Sequence, residues 1–138
     1  LAHTASTLLY ENTGYDALKS FAPIGTVGTV PYMLVVNPQF PARDYAAFVQ
    51  AVRAAPGKFN GASAGSGSAP HLALELFKRT LKVEIVHVPY KGSGPALNDL
   101  IGGRVDLEFE NVAAAAHIKS GRLRALQIRA NLGYWGLR

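Results

Sequence analysis

Cysteine is absent from this 138-residue chain. Its absence excludes disulfides, thiolate metal centres and cysteine nucleophiles, and it leaves the redox compartment open. Also missing is an apolar run long enough to span a bilayer; the longest stretches lie near Val112–Ala116 and Tyr32–Val36. The first ten residues, Leu1–Tyr10, are mixed and polar and lack the basic, apolar, small-residue order of a secretory leader. Three expectations fit that start: a cytosolic chain, a chain whose leader has been removed, or a fragment. No repeat at solenoid period and no low-complexity segment interrupts the sequence.

Apolar residues make up 49% of the chain and charged residues only 17%, which supplies a real core and argues against disorder. The length suits a single domain. Fourteen Lys and Arg against nine Asp and Glu give a net charge of +5, with a pI near 9.7. Such a balance raises the question of nucleic acid. The distribution answers against it. Basic residues are scattered, and only Lys119, Arg122, Arg124 and Arg129 cluster, without interleaved aromatics. They read as a solvated surface whose mild positive field favours anionic ligands.

Short β-branched runs alternate with helical patterns. Phe21–Val27 and Tyr32–Asn37 read as strands. Asp44 reads as the N-cap of a helix with Tyr45, Phe48, Val49 and Val52 on one face, stopped by Pro56-Gly57. Phe59–Ser63 reads as a strand leading into a glycine–serine loop. A helix then starts at Ser68 or Ala69, with Pro70 in its first turn and Leu72, Ala73, Leu76 and Phe77 inward. Strands at Glu84–Val88, Val105–Glu110 and Leu123–Ile128 alternate with helices opened by Ser93 and spanning Val112–Lys119. The expected fold is therefore α/β, a mostly parallel sheet with helices on both faces. Ligands in such sheets sit at the carboxyl ends of the strands, beside the helix N-termini that follow. That rule selects Ser63–Ser68, Pro89–Ser93 and Glu110–Val112.

At the first of these, three glycines of Gly61–Ser68 allow close backbone approach, Ser63, Ser66 and Ser68 add hydroxyls, and a helix N-terminus follows. Together they form a cradle suited to a carboxylate, although a plain turn with an N-cap has the same composition. The same stretch matches G-x-S-x-G as Gly61, Ser63 and Gly65, with Asp106 and His117 following in hydrolase order. A small serine esterase is thus the alternative, weakened by the short chain, by His117 falling within a helix and by the lack of an oxyanion loop. Pro89–Pro95 is a second loop-to-helix cradle; it lacks the phosphate-loop spacing, and Lys91 there is either a point charge or simply solvated. His71 and Glu75 share i, i+4 spacing without the further ligands a zinc site needs. His87 reads as a hydrogen-bonded core residue and His117 as helix surface. Glu108 and Glu110 share one strand face, and Glu110-Asn111 reads as a pocket rim.

The ordered set Tyr15-Asp16, Lys19–Ile24, Leu34–Pro38, Ala55–Asn60, Ser63–Leu72, Ile85–Ser93, Gly103–Leu107 and Ile118–Leu126 resembles the tripartite tricarboxylate transporter substrate-binding family, also called the Bug receptors. Most specific are the Pro70-His71-Leu72 loop and the Val88-Pro89-Tyr90-Lys91-Gly92-Ser93 loop. The resemblance runs from about Tyr10 to Leu126. It implies one lobe of a type II periplasmic-binding-protein-like fold, a two-lobed clamp that captures a small carboxylate or amino acid for a membrane transporter or sensor, in the periplasm, without cofactor or catalysis. Carried over to this chain, the ligand-binding positions are Ser63, Ser66, Gly67, Ser68, Tyr90, Lys91, Gly92, Ser93 and Glu110. The family more often reads Phe-Asp-Asn where Phe109-Glu110-Asn111 stands here. The resemblance further implies that residues 1–20 are a hinge remnant of an absent first lobe, 21–128 the binding lobe and 129–138 an atypical tail. Half a clamp is expected to bind anions weakly and to favour a homodimer through its exposed lobe surface.

Overall fold

In a computed structural model of the chain, the described residues are Thr7 and 11–129. All of the expected tail but Arg129, and most of the first ten residues of the expected hinge, lie outside them.

The regular elements are β1 (Tyr32–Val36), α1 (Tyr45–Ala54), β2 (Asn60–Ser63), α2 (Ala69–Leu81), β3 (Val86–Pro89), α3 (Ser93–Ile101), β4 (Leu107–Glu110), a 3-10 turn (Val112–Ala114), α4 (Ala115–Lys119) and β5 (Arg124–Arg129). The strands form one five-stranded sheet in the order β3-β2-β4-β1-β5. β2 pairs in parallel with β3 and β4, whereas β1 runs antiparallel to both β4 and β5. Four strands therefore point one way and β1 alone is reversed, so the sheet is mixed. Alternation assigns the two faces. Leu34, Val36, Leu107 and Phe109 pack with Phe48 and Val52 of α1 and Leu74 and Phe77 of α2. Val35 and Ala62 pack on the other face with Ala96, Leu97 and Leu100 of α3 and with Ala114.

The helix starts follow local chemistry. Asp44 Oδ1 accepts from Ala47 N at 2.8 Å, and the Ser68 hydroxyl accepts from His71 N. Each satisfies one of the orphan donors of a first turn. The buried face of α2 is Pro70, Ala73, Leu74 and Phe77. Leu72 and Leu76, expected inward, are only half-buried. Gly61 explains the phase: a Cβ there would stand 2.9 Å from Leu74 Cδ2, so the missing side chain lets Leu74 seat directly on β2.

Phe21–Val27 is not a strand. Residues 21–31 carry no regular structure, and Ile24 and Val27 are fully exposed. β-propensity alone does not make a strand without a neighbour to complete the ladder, and among the described residues none pairs with this segment. At the sheet end remote from the candidate loops, Asn37 clips two elements together. Its buried amide donates to Leu100 O at 2.8 Å and Ile101 O at 3.1 Å, joining the end of β1 to the end of α3.

Phe77 is fully buried and its ring packs against Phe48 and Phe109. Phe77→Ala is expected to lower unfolding stability by about 3–5 kcal/mol in urea titration. Asp44→Ala, which removes only a cap, is expected to cost about 1 kcal/mol.

Candidate ligand-binding site

The parallel register of β2, β3 and β4 brings their carboxyl ends to one edge of the sheet, with the loops that follow side by side. The ladder between β2 and β3 continues past the strands. Tyr90 N donates to Ser63 O at 2.9 Å, and Gly92 N donates to Ala64 O at 3.1 Å. The loops 63–68 and 89–93 are thus hydrogen-bonded into one rim. Gly65 makes the closest approach: it has φ +130, and a Cβ would lie 3.1 Å from Tyr90 O. No other residue type fits both demands.

On this rim, Ser66 and Lys91 are exposed. Ser68 closes the loop, its hydroxyl donating to Gly65 O at 2.6 Å while capping α2. Gly92 is the N-cap of α3, with φ 114, and Ser93 is that helix's first residue, so a second helix N-terminus points to the same edge. The Tyr90 side chain turns back onto α3. Its hydroxyl donates to Asp99 Oδ2 at 2.8 Å, and Arg104 holds Asp99 from the other side at 2.7 Å. Burial and the Asp99 hydrogen bond push the Tyr90 phenol up; Arg104 first and Tyr90 second hold the Asp99 carboxyl down.

Ser63 and Glu110 lie beneath the rim and not on it, since both are wholly buried. The Ser63 hydroxyl lies 2.7 Å from His87 Nε2. His87 in turn stacks on His71, centroids 4.0 Å apart and planes 19° from parallel, and His71 Nδ1 accepts from Gly67 N at 3.0 Å. Sequence spacing gave no sign of this cluster, because His71 and His87 come from different elements and meet only when α2 docks on β3's side of the sheet. The hydrolase triad does not form. Asp106 is spent on Asn60 N at 2.7 Å, at the opposite end of β2, and His117 sits on α4. Ser63 has a different imidazole partner and no exposed surface. Among the described residues, no group of three or more His, Cys, Asp or Glu is placed to hold a metal.

Glu108 and Glu110 share the face of β4 that packs under α3. Both are fully buried. Glu110 Oε1 accepts from Asn111 N at 2.8 Å, but among the described residues its Oε2 and both Glu108 oxygens have no partner. Burial first, and the neighbouring Glu110 second, push the Glu108 carboxyl from 4.5 to about 8, so it keeps its proton at neutral pH.

The layered α/β unit has the fold of one lobe of a periplasmic binding protein, as its similarity to the solved periplasmic binding protein BugD shows (34% identity, TM-score 0.83, covering 92% of this chain and 43% of that one). The chain belongs to the tripartite tricarboxylate transporter family of receptors, matching it over residues 2–132. It is 43% identical over 115 residues to protein BugT of Bordetella pertussis, covering 83% of this chain and 35% of BugT. Among solved structures it is similar to R. palustris Rpa4515 with adipate (37% identity, TM-score 0.79, covering 86% of this chain and 40% of that one). It is also similar to MatC from Rhodopseudomonas palustris with bound malate (32% identity, TM-score 0.81, covering 94% and 44%). The chain therefore spans less than half the length of these relatives.

The raised Glu108 carboxyl sets a pH dependence of stability. Unfolded, the group ionises near 4.5; folded, near 8. Across that window the unfolded chain releases a proton that the folded chain retains, so stability is full below it and falls as pH rises through it. Glu108→Gln removes the effect. The variant is expected to gain on the parent between those two pH values, by a margin of about 4 kcal/mol in denaturant titrations.

Proposed function

We propose that this lobe forms one wall of a periplasmic receptor that captures small dicarboxylates and delivers them to a membrane transporter. The carrying observation is the hydrogen-bonded rim, which sets two helix N-termini, the exposed Ser66 hydroxyl and the exposed Lys91 ammonium along one edge. Unpaired N–H groups and a cation at one edge favour an anion. Adipate in Rpa4515 and malate in MatC support the dicarboxylate class. The residues assigned to the ligand are Ser66, Gly67, Ser68, Lys91, Gly92 and Ser93 directly, with Ser63, Tyr90 and Glu110 shaping the rim from beneath or behind. No helix among the described residues is long and apolar enough to cross a membrane.

The lobe works by binding and not by catalysis. Ser63 is buried and its imidazole partner has no carboxylate among the hydrogen bonds of the site. Nitrophenyl acetate is expected to be hydrolysed no faster by the chain than by buffer; turnover abolished by Ser63→Ala would establish the esterase instead.

One wall cannot enclose a ligand, so malate, adipate and citrate are expected to bind this chain with affinity no better than about millimolar. In NMR titration the shifts are expected at Gly65–Ser68 and Lys91–Ser93 and to shrink severalfold in Lys91→Ala. Shifts confined to other residues would exclude this rim as the site. The apolar segment with Leu18, Phe21, Ile24 and Val27 exposed is the surface we assign to the rest of the receptor, and to a homodimer of this chain alone. Light scattering that gives a monomer at high concentration would remove the dimer.

A further inference from the structure

The imidazole cluster behind the rim has a property that the ligand-facing side does not show. Gly67 N donates to His71 Nδ1 at 3.0 Å. That bond requires a lone pair on Nδ1, so the proton of the neutral ring is on Nε2, which faces Glu75 Oε1 at 4.0 Å. The flat face of the ring is covered by His87 at 4.0 Å, and His87 is anchored through Nε2 to the Ser63 hydroxyl at 2.7 Å. Ser63 O in turn accepts from Tyr90 N. A continuous path of contacts therefore runs from Gly67 through both imidazoles to the second loop.

We propose that His71 is the positioning residue of the Gly65–Ser68 loop and that it holds the loop only while its ring is neutral, with His87 and Ser63 as its backing. The proposal rests on that loop being the anion-facing one, as argued for the receptor. Protonation puts an N–H on Nδ1, facing the N–H of Gly67. Two donors cannot bond, and the amide is released. His87 opposes a second positive charge on the stack, and burial first and His71 second already hold it below the usual 6.5. The charged groups that act on His87 are Glu75 and Lys78, both on α2, and they are paired with each other at 2.7 Å; Glu75 also faces His71 Nε2. Glu75 raises and Lys78 lowers the His87 value, so their effects oppose. Seated beneath the loop, His71 thus makes the orientation of the Gly67 amide a function of pH.

The test is the Gly67 amide of the full chain, followed by NMR shift and hydrogen exchange between about pH 8 and about pH 5, across the range where histidine titrates. In the parent, Gly67 is expected to be protected at the upper end and to lose protection in step with the His71 ring signals. His71→Asn places a non-titrating acceptor, Oδ1, where Nδ1 stood; its Gly67 amide is expected to stay protected and pH-independent. His71→Ala is expected to exchange Gly67 about fivefold to tenfold faster at the upper pH, the ratio that loss of one ordinary hydrogen bond sets. A pH response of the Gly67 shift or of its protection relative to the intrinsic exchange rate at each pH that persists in His71→Asn overturns the proposal, as does unchanged protection in His71→Ala. The Ala73 and Leu74 amides, which report folding of α2, serve as the control; if His71→Ala does not fold, the Asn variant decides. A malate titration of the parent separates the two levels. Absence of shifts at the rim removes the anion reading of the loop, while the pH behaviour of Gly67 still decides the role of His71.

Discussion

The ladder between β2 and β3 does not end where the strands end. Ser63 O and Ala64 O accept from Tyr90 N and Gly92 N, and the two loops that leave the sheet are fastened to each other before their helices begin. Everything at the candidate site depends on this continuation. It requires β2 and β3 to be parallel and in register, from Asn60 opposite Val86 to Ser63 opposite Pro89. It also requires Gly65, because any side chain there would press on Tyr90 O in a backbone conformation that L-residues avoid. A one-residue slip would put Ser63 and His87 on the wrong face and separate the loops.

The rim stands on two different foundations. On the α2 side lies the Ser63, His87 and His71 cluster, polar and hydrogen-bonded through Ser63 Oγ, His87 Nε2 and His71 Nδ1. On the α3 side lie Glu108 and Glu110, buried with three oxygens unpaired. A buried carboxyl without partners is costly when charged, and the neutral form is the cheaper state. The protein thus keeps ionisable groups under both halves of the rim, one set imidazole and one carboxyl.

Much of the fold was legible in the sequence because it is governed by local rules. The Asp44 and Ser68 caps, Pro70 in a first turn and the order of alternating strands and helices all rest on contacts within a few residues, and each stands as expected. The two loops were legible too, since glycine and serine at the ends of β-branched runs have few other uses. The strand expected over Phe21–Val27 failed for the opposite reason: its stability depends on a partner that no local pattern supplies. The inward set of α2 was shifted from Leu76 to Leu74 because the decisive neighbour was the bare Cα of Gly61, on another element.

The sequence by itself determined that this is an α/β lobe with glycine- and serine-bearing loops at the ends of its strands, because periodicity, capping and turn chemistry act over short range. It also carried the family, through the order of its motifs. Only the tertiary structure decided that β1 runs against the other strands and that Ser63 and Glu110 lie below the surface. It alone turned Tyr90 back onto Asp99 and stacked His71 on His87. Each of these depends on which residues distant in sequence are brought face to face, and that is set by the packing of helices on the sheet and not by the pattern along either one.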